Sequence, residues 1–279
     1  MAMQTKGEIA PGSQVVKTDA GKTVHGLKSL RRKAASLMGA SLVGASMLAF
    51  PSMAASKSNN TPAMYAKIPT AAISSKAESD FKTQTVYFAP NTKNQVFITI
   101  DDGFFPEQGA LNFLKSDKIS TTSFIIRDAM DEHLAFWKAY ARIGNLEDHT
   151  VSHPDLTTIS YAADVSQIKG QRDAITLLTG VTPYMLRPPY GDTDAQVVAA
   201  AQQCGMRYVV LWSAVLDYNA NGVYAANPPL ETWNGRKLTS GEIILVHWDP
   251  GVTGALEYLV NLIRSDGLSV GNLADYLQR

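Results

Sequence analysis

From about residue 84 onward, short apolar, β-branched runs alternate with helical patterns, and this alternation restricts the chain to an α/β architecture. Val96 to Ile100 reads as a strand that ends in Asp101-Asp102-Gly103. Glu107 to Asp117 reads as a helix through Ala110, Leu111 and Leu114, and Thr121 to Ile126 as the next strand. A helix over Asp131 to Arg142, with Leu134, Trp137 and Ala141 on one face, leads through Gly144 to Asp148 into His149. Asp164 to Leu178 is amphipathic through Val165, Ile168, Ile175 and Leu178. Tyr184 to Arg187 is a short strand, Asp194 to Cys204 a helix, Arg207 to Trp212 a strand, Glu242 to Val246 a strand and Ala255 to Arg264 a helix. Apolar strands separated by helices imply a parallel sheet covered by helices.

In such sheets functional groups gather at the carboxyl ends of the strands. Asp101, Asp102, Arg187, Trp212 and His247 each lie at or just after a strand end, and His149 follows a segment that suits another strand. The chain holds five histidines: His25, His133, His149, His153 and His247. His149 and His153 are four apart, so one helical turn would put both imidazoles on one face, able to bind one metal. Pro154 would stop any longer helix. No Glu follows His149, so the spacing supplies no local base. A carboxylate from elsewhere must complete both the metal shell and the proton chemistry. Asp101-Asp102-Gly103 is the obvious donor, with one Asp as third ligand and its neighbour as base. Asp102, His149 and His153 meet the usual count of three protein ligands beside one open position. Two imidazoles and a carboxylate suit Zn2+ and also accept Co2+, Ni2+ or Mn2+.

The N-terminal part has a different character. Residues 1–54 carry seven Lys or Arg against Glu8 and Asp19. With 25 basic and 25 acidic residues in the whole chain, an excess of five acidic groups is left for the remainder. Such a body lacks the basic footprint of a nucleic-acid binder. Lys28, Arg31, Arg32 and Lys33 precede an apolar stretch from Ala34 to Phe50, and small residues up to Ala54 suit cleavage. We read residues 1–54 as an export signal, with an uncleaved membrane anchor as the alternative. The protein is then secreted or held at the cell envelope, with membrane contact only through this segment. Residues 55–83 read as a Ser-, Ala- and Lys-rich linker and residues 84–279 as the catalytic domain. The lone Cys204 forms no internal disulfide, and core packing is its expected role.

Four segments together resemble the motifs of the NodB-type polysaccharide deacetylases, carbohydrate esterase family four. They are Thr99-Ile100-Asp101-Asp102-Gly103, His149-Thr150-Val151-Ser152-His153-Pro154, Arg187-Pro188-Pro189-Tyr190-Gly191 and Leu245-Val246-His247. The resemblance covers about residues 85–277 and implies a distorted, incomplete (β/α) barrel. It implies hydrolysis of N-acetyl groups on a glycan such as peptidoglycan or a chitin-like polymer. It also implies roles. Asp101 would be the general base, Asp102 a metal ligand with His149 and His153, and His247 the general acid. Arg187 would hold Asp101 ionised and oriented. The Tyr190 backbone N–H would help stabilise the oxyanion.

The family's fourth motif departs here. Trp212-Ser213 is followed by Ala214, Val215, Leu216, Asp217 and Tyr218, one Asp short and with Tyr in place of Trp. Asp217 is the candidate to orient His247, and Asp249 its rival. Leu146-Glu147-Asp148 replaces a more apolar Ile-Gly-Asn. Tyr190, Trp212, Tyr218 and Trp248 could stack on sugar rings or pack the site walls, and Trp233 is expected on a loop over the groove. Three other readings stay open: an O-acetyl esterase, a small-molecule amidase on the same scaffold, and a cell-wall glycan-binding protein that has lost catalysis.

Overall fold

The computed structural model describes residues 81–278. In chain order they form β1 (Gln84–Val86), β2 (Gln95–Asp102), α1 (Gln108–Ser116), β3 (Thr122–Ile125), α2 (Arg127–Glu132), α3 (Leu134–Tyr140), β4 (Asn145–Asp148) and α4 (Tyr161–Thr179). Then come β5 (Met185–Leu186), α5 (Ala195–Gln203), β6 (Tyr208–Val210), β7 (Ala214–Leu216), β8 (Leu230–Thr232), β9 (Ile243–His247), α6 (Val252–Ser265) and β10 (Ser269–Val270). The export segment and most of the linker lie outside the described residues. No helix among the described residues is long and apolar enough to cross a membrane.

The sheet order is β1-β6-β5-β4-β3-β2-β9-β7-β8, with β10 beside the start of β2. Every pairing is parallel except β7 with β8. A single antiparallel bridge, Phe88 to Glu242, ties the segment after β1 back to the start of β9. The sheet therefore curls into an incomplete (β/α) barrel, as expected.

Alternation along β2 feeds two of the cores. Val96, Ile98 and Ile100 of β2 pack with Leu111 and Leu114 of α1 and Leu256 and Leu259 of α6. Phe97, on the opposite face, packs with Phe124 of β3 and Ile243 of β9. Burial on both faces is what an apolar parallel strand requires. Helix starts follow capping chemistry: Ser160 Oγ accepts the Ala163 N–H, and Asp194 Oδ1 accepts the Val197 N–H. Gly180, at φ 76°, ends α4.

Two of these expectations need correction here. The single helix over Asp131 to Arg142 is two helices, broken at His133 (φ −133°, ψ 37°). Trp137 is buried as expected, but Leu134 lies exposed beyond the break. Trp233 does not overhang the carboxyl ends of the parallel strands. Because β8 runs antiparallel, its end returns to the start of β7, where the Trp233 N–H donates to the Ser213 carbonyl. The short strands β1, β7, β8 and β10, two or three residues each, were not expected, being too brief to show a period.

Candidate metal centre and active site

Strand register assembles the site. Asp101 and Asp102 end β2, opposite Phe124 and Ile125 of β3, and Asp101 also lies opposite His247 of β9. Ile125 faces Asp148 of β4, which faces Leu186 of β5. The residues that follow, His149 and Arg187, thus leave neighbouring strand ends. The His149 N–H donates to the Ile125 carbonyl (3.3 Å) and the Arg187 N–H to the Asp148 carbonyl (2.9 Å).

His149 is buried, and its Nδ1 lies 2.6 Å from the Arg187 carbonyl oxygen. A carbonyl only accepts, so in the neutral ring Nδ1 carries the proton and the Nε2 lone pair is presented to the site. Nε2 stands 3.3 Å from Asp102 Oδ1 and 3.8 Å from Asp101 Oδ2. His153 Nε2 is 3.6 Å from the same Asp102 oxygen. Ligand atoms of Asp102, His149 and His153 all lie within 4.8 Å of one another. Asp102 Oδ1 is buried yet accepts no hydrogen bond. A buried carboxylate oxygen facing two imidazole nitrogens lacks only a cation, so these residues fit a divalent metal. The electrostatics agree. Burial alone would raise the Asp102 pKa, but the imidazoles of His149, His247 and His153 hold it well below the usual range. Burial would lower the His149 pKa, and the Asp101 and Asp102 carboxylates outweigh it and raise it.

The two histidines are not brought together by a helical turn. After β4 the chain runs through an irregular loop in which Thr150 (φ 71°) and His153 (φ 60°) are left-handed. Asp148 Oδ1 accepts the Thr150 N–H (2.8 Å), and Thr150 Oγ1 accepts the His153 N–H (3.1 Å). Asp102 (φ 73°) and Tyr190 (φ 63°) are left-handed too, so four of the six described non-glycine residues with positive φ belong to this site. Such strain persists only where the surroundings over-determine it. Gly103 (φ 110°) lets the chain turn directly behind Asp102, where a Cβ would stand 2.9 Å from the Trp137 ring.

Arg187 is wholly buried inside the barrel. Its NH1 donates to Asp101 Oδ1 (2.8 Å) and Thr99 Oγ1 (2.7 Å), its Nε to the Val210 carbonyl (3.1 Å), and its NH2 to the Leu211 carbonyl (3.3 Å). Its guanidinium lies 4.3 Å from the Phe124 ring centre. His247 is also buried, and the hydroxyl of Tyr224 accepts its backbone N–H at 2.8 Å. Tyr190 is exposed and sets its ring edgewise on His153 at 4.7 Å.

Asp217 sits after β7, where its Oδ1 accepts the N–H of Tyr218 (2.9 Å). The ring that stands against His247 is that of Tyr218, at 5.3 Å. Asp249 is half-buried, and its pKa is pushed up to about 7 by burial and by the charge of Asp102. Trp248 is core, not a stacking surface: it is fully buried, edge-on to Trp137 (5.5 Å) and Tyr140 (5.8 Å), with Nε1 donating to Ser123 Oγ. Trp212 packs toward the Arg187 guanidinium at 5.6 Å. Glu147, where the motif departs, accepts the N–H groups of Tyr184 and Met185. Cys204 is buried, and desolvation raises its pKa to about 11, which suits packing and not reactivity.

Sequence reasoning gave Thr99 no role of its own within its motif and missed Tyr224. Thr99 was legible in principle, as a polar residue two before Asp101 on the same inward face. Tyr224 lies in a patternless loop that offered no signal.

Residues 89–209 match the family described as polysaccharide deacetylase. The chain is 30% identical over 161 residues to a chitin deacetylase of Amylomyces rouxii, covering 54% of this chain and 38% of that one. It is 29% identical over 189 residues to a peptidoglycan-N-acetylglucosamine deacetylase of Bacillus cereus, covering 63% and 65%. This chain thus spans less than two thirds of either relative. A solved structure from Bacillus anthracis, described as a carbohydrate esterase family four pseudoenzyme, superposes with a TM-score of 0.60 at 22% identity over 71% of this chain and 70% of that one. With this fold and these ordered motifs, the chain resembles the NodB-type polysaccharide deacetylases over residues 89–209.

Proposed function

We propose that this protein is a metal-dependent hydrolase that removes N-acetyl groups from a glycan of the peptidoglycan or chitin kind, outside the cytoplasm. The observation that carries the reading is the convergence of Asp102, His149 and His153 ligand atoms beside Asp101 and His247. The names of the relatives support the substrate class, and the signal-like pattern of residues 1–54 supports the location.

Asp102, His149 and His153 would hold a divalent cation, zinc being best suited, which when bound would supply Lewis-acid polarisation of a carbonyl and lower the pKa of water. The remaining work falls to the chain. Arg187 grips Oδ1 of Asp101, and Oδ2 stays on the side of His149, placed to accept the proton of the attacking water. His247, across the strand pairing, donates a proton to the departing nitrogen. The C–N bond breaks, a C–O bond forms, and acetate and a free amine leave. The Tyr190 N–H is assigned to the developing oxyanion. Asp102 and His153 are only partly buried, so the site opens to a substrate on that side.

A second reading, a glycan-binding protein without turnover, is favoured by the departure at Asp217, whose side chain bonds the N–H of the next residue. Acetate release from a panel of acetylated glycans, with and without chelator, tests both. Chelator-sensitive release of acetate and amine is expected. Release of acetate and hydroxyl would make the protein an esterase, and metal binding without release on any glycan would make it a binder.

A further inference from the structure

The loop between the two ligand histidines has a clamp on α4. Gln167 Oε1 accepts two successive backbone N–H groups, of Val151 and Ser152, each at 3.0 Å, and its Nε2 donates to Ser152 Oγ at 3.0 Å. One turn further on, Gln171 Nε2 donates to the Ile125 carbonyl at 2.6 Å, the same oxygen that accepts the His149 N–H. Between them Gly170 permits close approach, since a Cβ there would stand 2.8 Å from Val151 Cγ2. Residues 167 and 171 share a helix face. That face touches the backbone on which both imidazoles are mounted.

We propose that Gln167 is a positioning residue for the metal centre, its side-chain oxygen holding the turn that aims His149 and His153 at Asp102. The loop carries two left-handed residues, Thr150 and His153, and has no helical hydrogen bonds of its own to retain that shape. A single acceptor fixing two adjacent donors confines the peptide planes of Val151 and Ser152. The spacing of the imidazoles follows from those planes. The role needs an acceptor and no positive donor, so a carboxylate of the same length would serve. It rests on the metal-centre reading above.

The test is zinc affinity of the folded, full-length protein, measured by competition with a chromophoric chelator. Thermal stability without metal is measured alongside, for the parent, Gln167→Met, Gln167→Glu and Gly170→Ala. Outer partners of ligating groups are typically worth roughly 10–100-fold in metal affinity. Gln167→Met is expected to lose that much, Gln167→Glu to stay near the parent, and Gly170→Ala to weaken binding by displacing Val151. Gln167→Met binding zinc like the parent overturns the proposal. So do equal losses in the Met and Glu variants, which would make the residue's bulk matter and not its acceptor. If Gln167→Met does not fold, Gly170→Ala decides: weakened affinity supports the clamp and parental affinity overturns it. A parent that binds no zinc at all ends the metal-centre reading itself.

Discussion

Asp101 and His247 lie directly opposite one another in the parallel pairing of β2 with β9, each at or beside the end of its strand. A base and an acid assigned to opposite ends of one reaction are thus held on adjacent, directly paired strands, with the candidate cation ligands to one side. Rigid elements place catalytic groups more accurately than loops do. The two groups should therefore be separable from metal binding by mutation. Asp101→Asn and His247→Asn are each expected to lower kcat by about 10²–10⁴-fold, the usual worth of a general acid or base. Steady-state kinetics on an acetylated oligosaccharide would show it, and parental kcat in Asp101→Asn would remove Asp101 from the role of base.

Arg187 is expected to matter for stability as well as turnover. Its guanidinium and the Asp101 carboxylate are both buried, so Arg187→Met leaves a carboxylate without its partner inside the barrel. Losing one partner of a buried pair typically costs about 3–5 kcal/mol. Denaturant unfolding of the metal-free protein should show a loss of that size. Lys cannot reproduce four directed hydrogen bonds from a planar fork, so Arg187→Lys should recover little of it. A loss within experimental error would mean that the pair contributes nothing to the fold.

Tyr224→Phe removes the hydroxyl that accepts the backbone N–H of His247. β7 pairs with β9 no further than Leu245, so this N–H has left the ladder on that side. An orphaned buried donor costs about 1–3 kcal/mol. The variant should lose that much stability, and its kcat should fall with little change in KM, because the displaced group is the proposed acid and not a substrate contact. A changed KM with unchanged kcat would contradict this.

Acid stability should depend on Glu107. Its carboxylate accepts the N–H groups of Gly251 and Thr253 and the Thr253 hydroxyl at the start of α6. Partial burial would raise its pKa, but these hydrogen bonds outweigh it and lower the pKa below the ordinary 4.5. A carboxylate with a depressed folded pKa contributes stability that is present above its unfolded pKa and is lost as pH falls through its folded pKa. The parent should therefore be more stable than Glu107→Gln above pH 4.5, and the difference should close as pH falls below it. Thermal melts at several pH values would check this, and a difference independent of pH would assign Glu107 a purely steric role.

The residues that define the site were legible because chemistry concentrates at strand ends. Asp101, Asp102, Arg187 and His247 sit where apolar runs stop, and periodicity locates those stops without coordinates. What could not be read was how the loop after β4 aims its histidines. A spacing of four suggests a helical turn, yet the structure uses left-handed Thr150 and His153 instead, with backbone N–H groups of the loop donating to Asp148 and Gln167 in a way that no pattern encodes. The two- and three-residue strands were hidden for a related reason, since pairing with distant partners and not local propensity creates them. Trp233 was misplaced because the reversal at β8 leaves no mark in a segment rich in Pro, Asn and Gly.

The central claim is that Asp102, His149 and His153 together hold one divalent cation while Asp101 stays outside its grip. Cation content of the parent, Asp101→Asn and His153→Ala, purified identically and measured by elemental analysis after dialysis against trace zinc, tests it most directly. The account predicts about one cation per chain in the first two proteins and a large loss in the third, the pattern expected where three protein ligands complete a site. His153→Ala retaining the full complement, or Asp101→Asn losing it, would contradict the assignment.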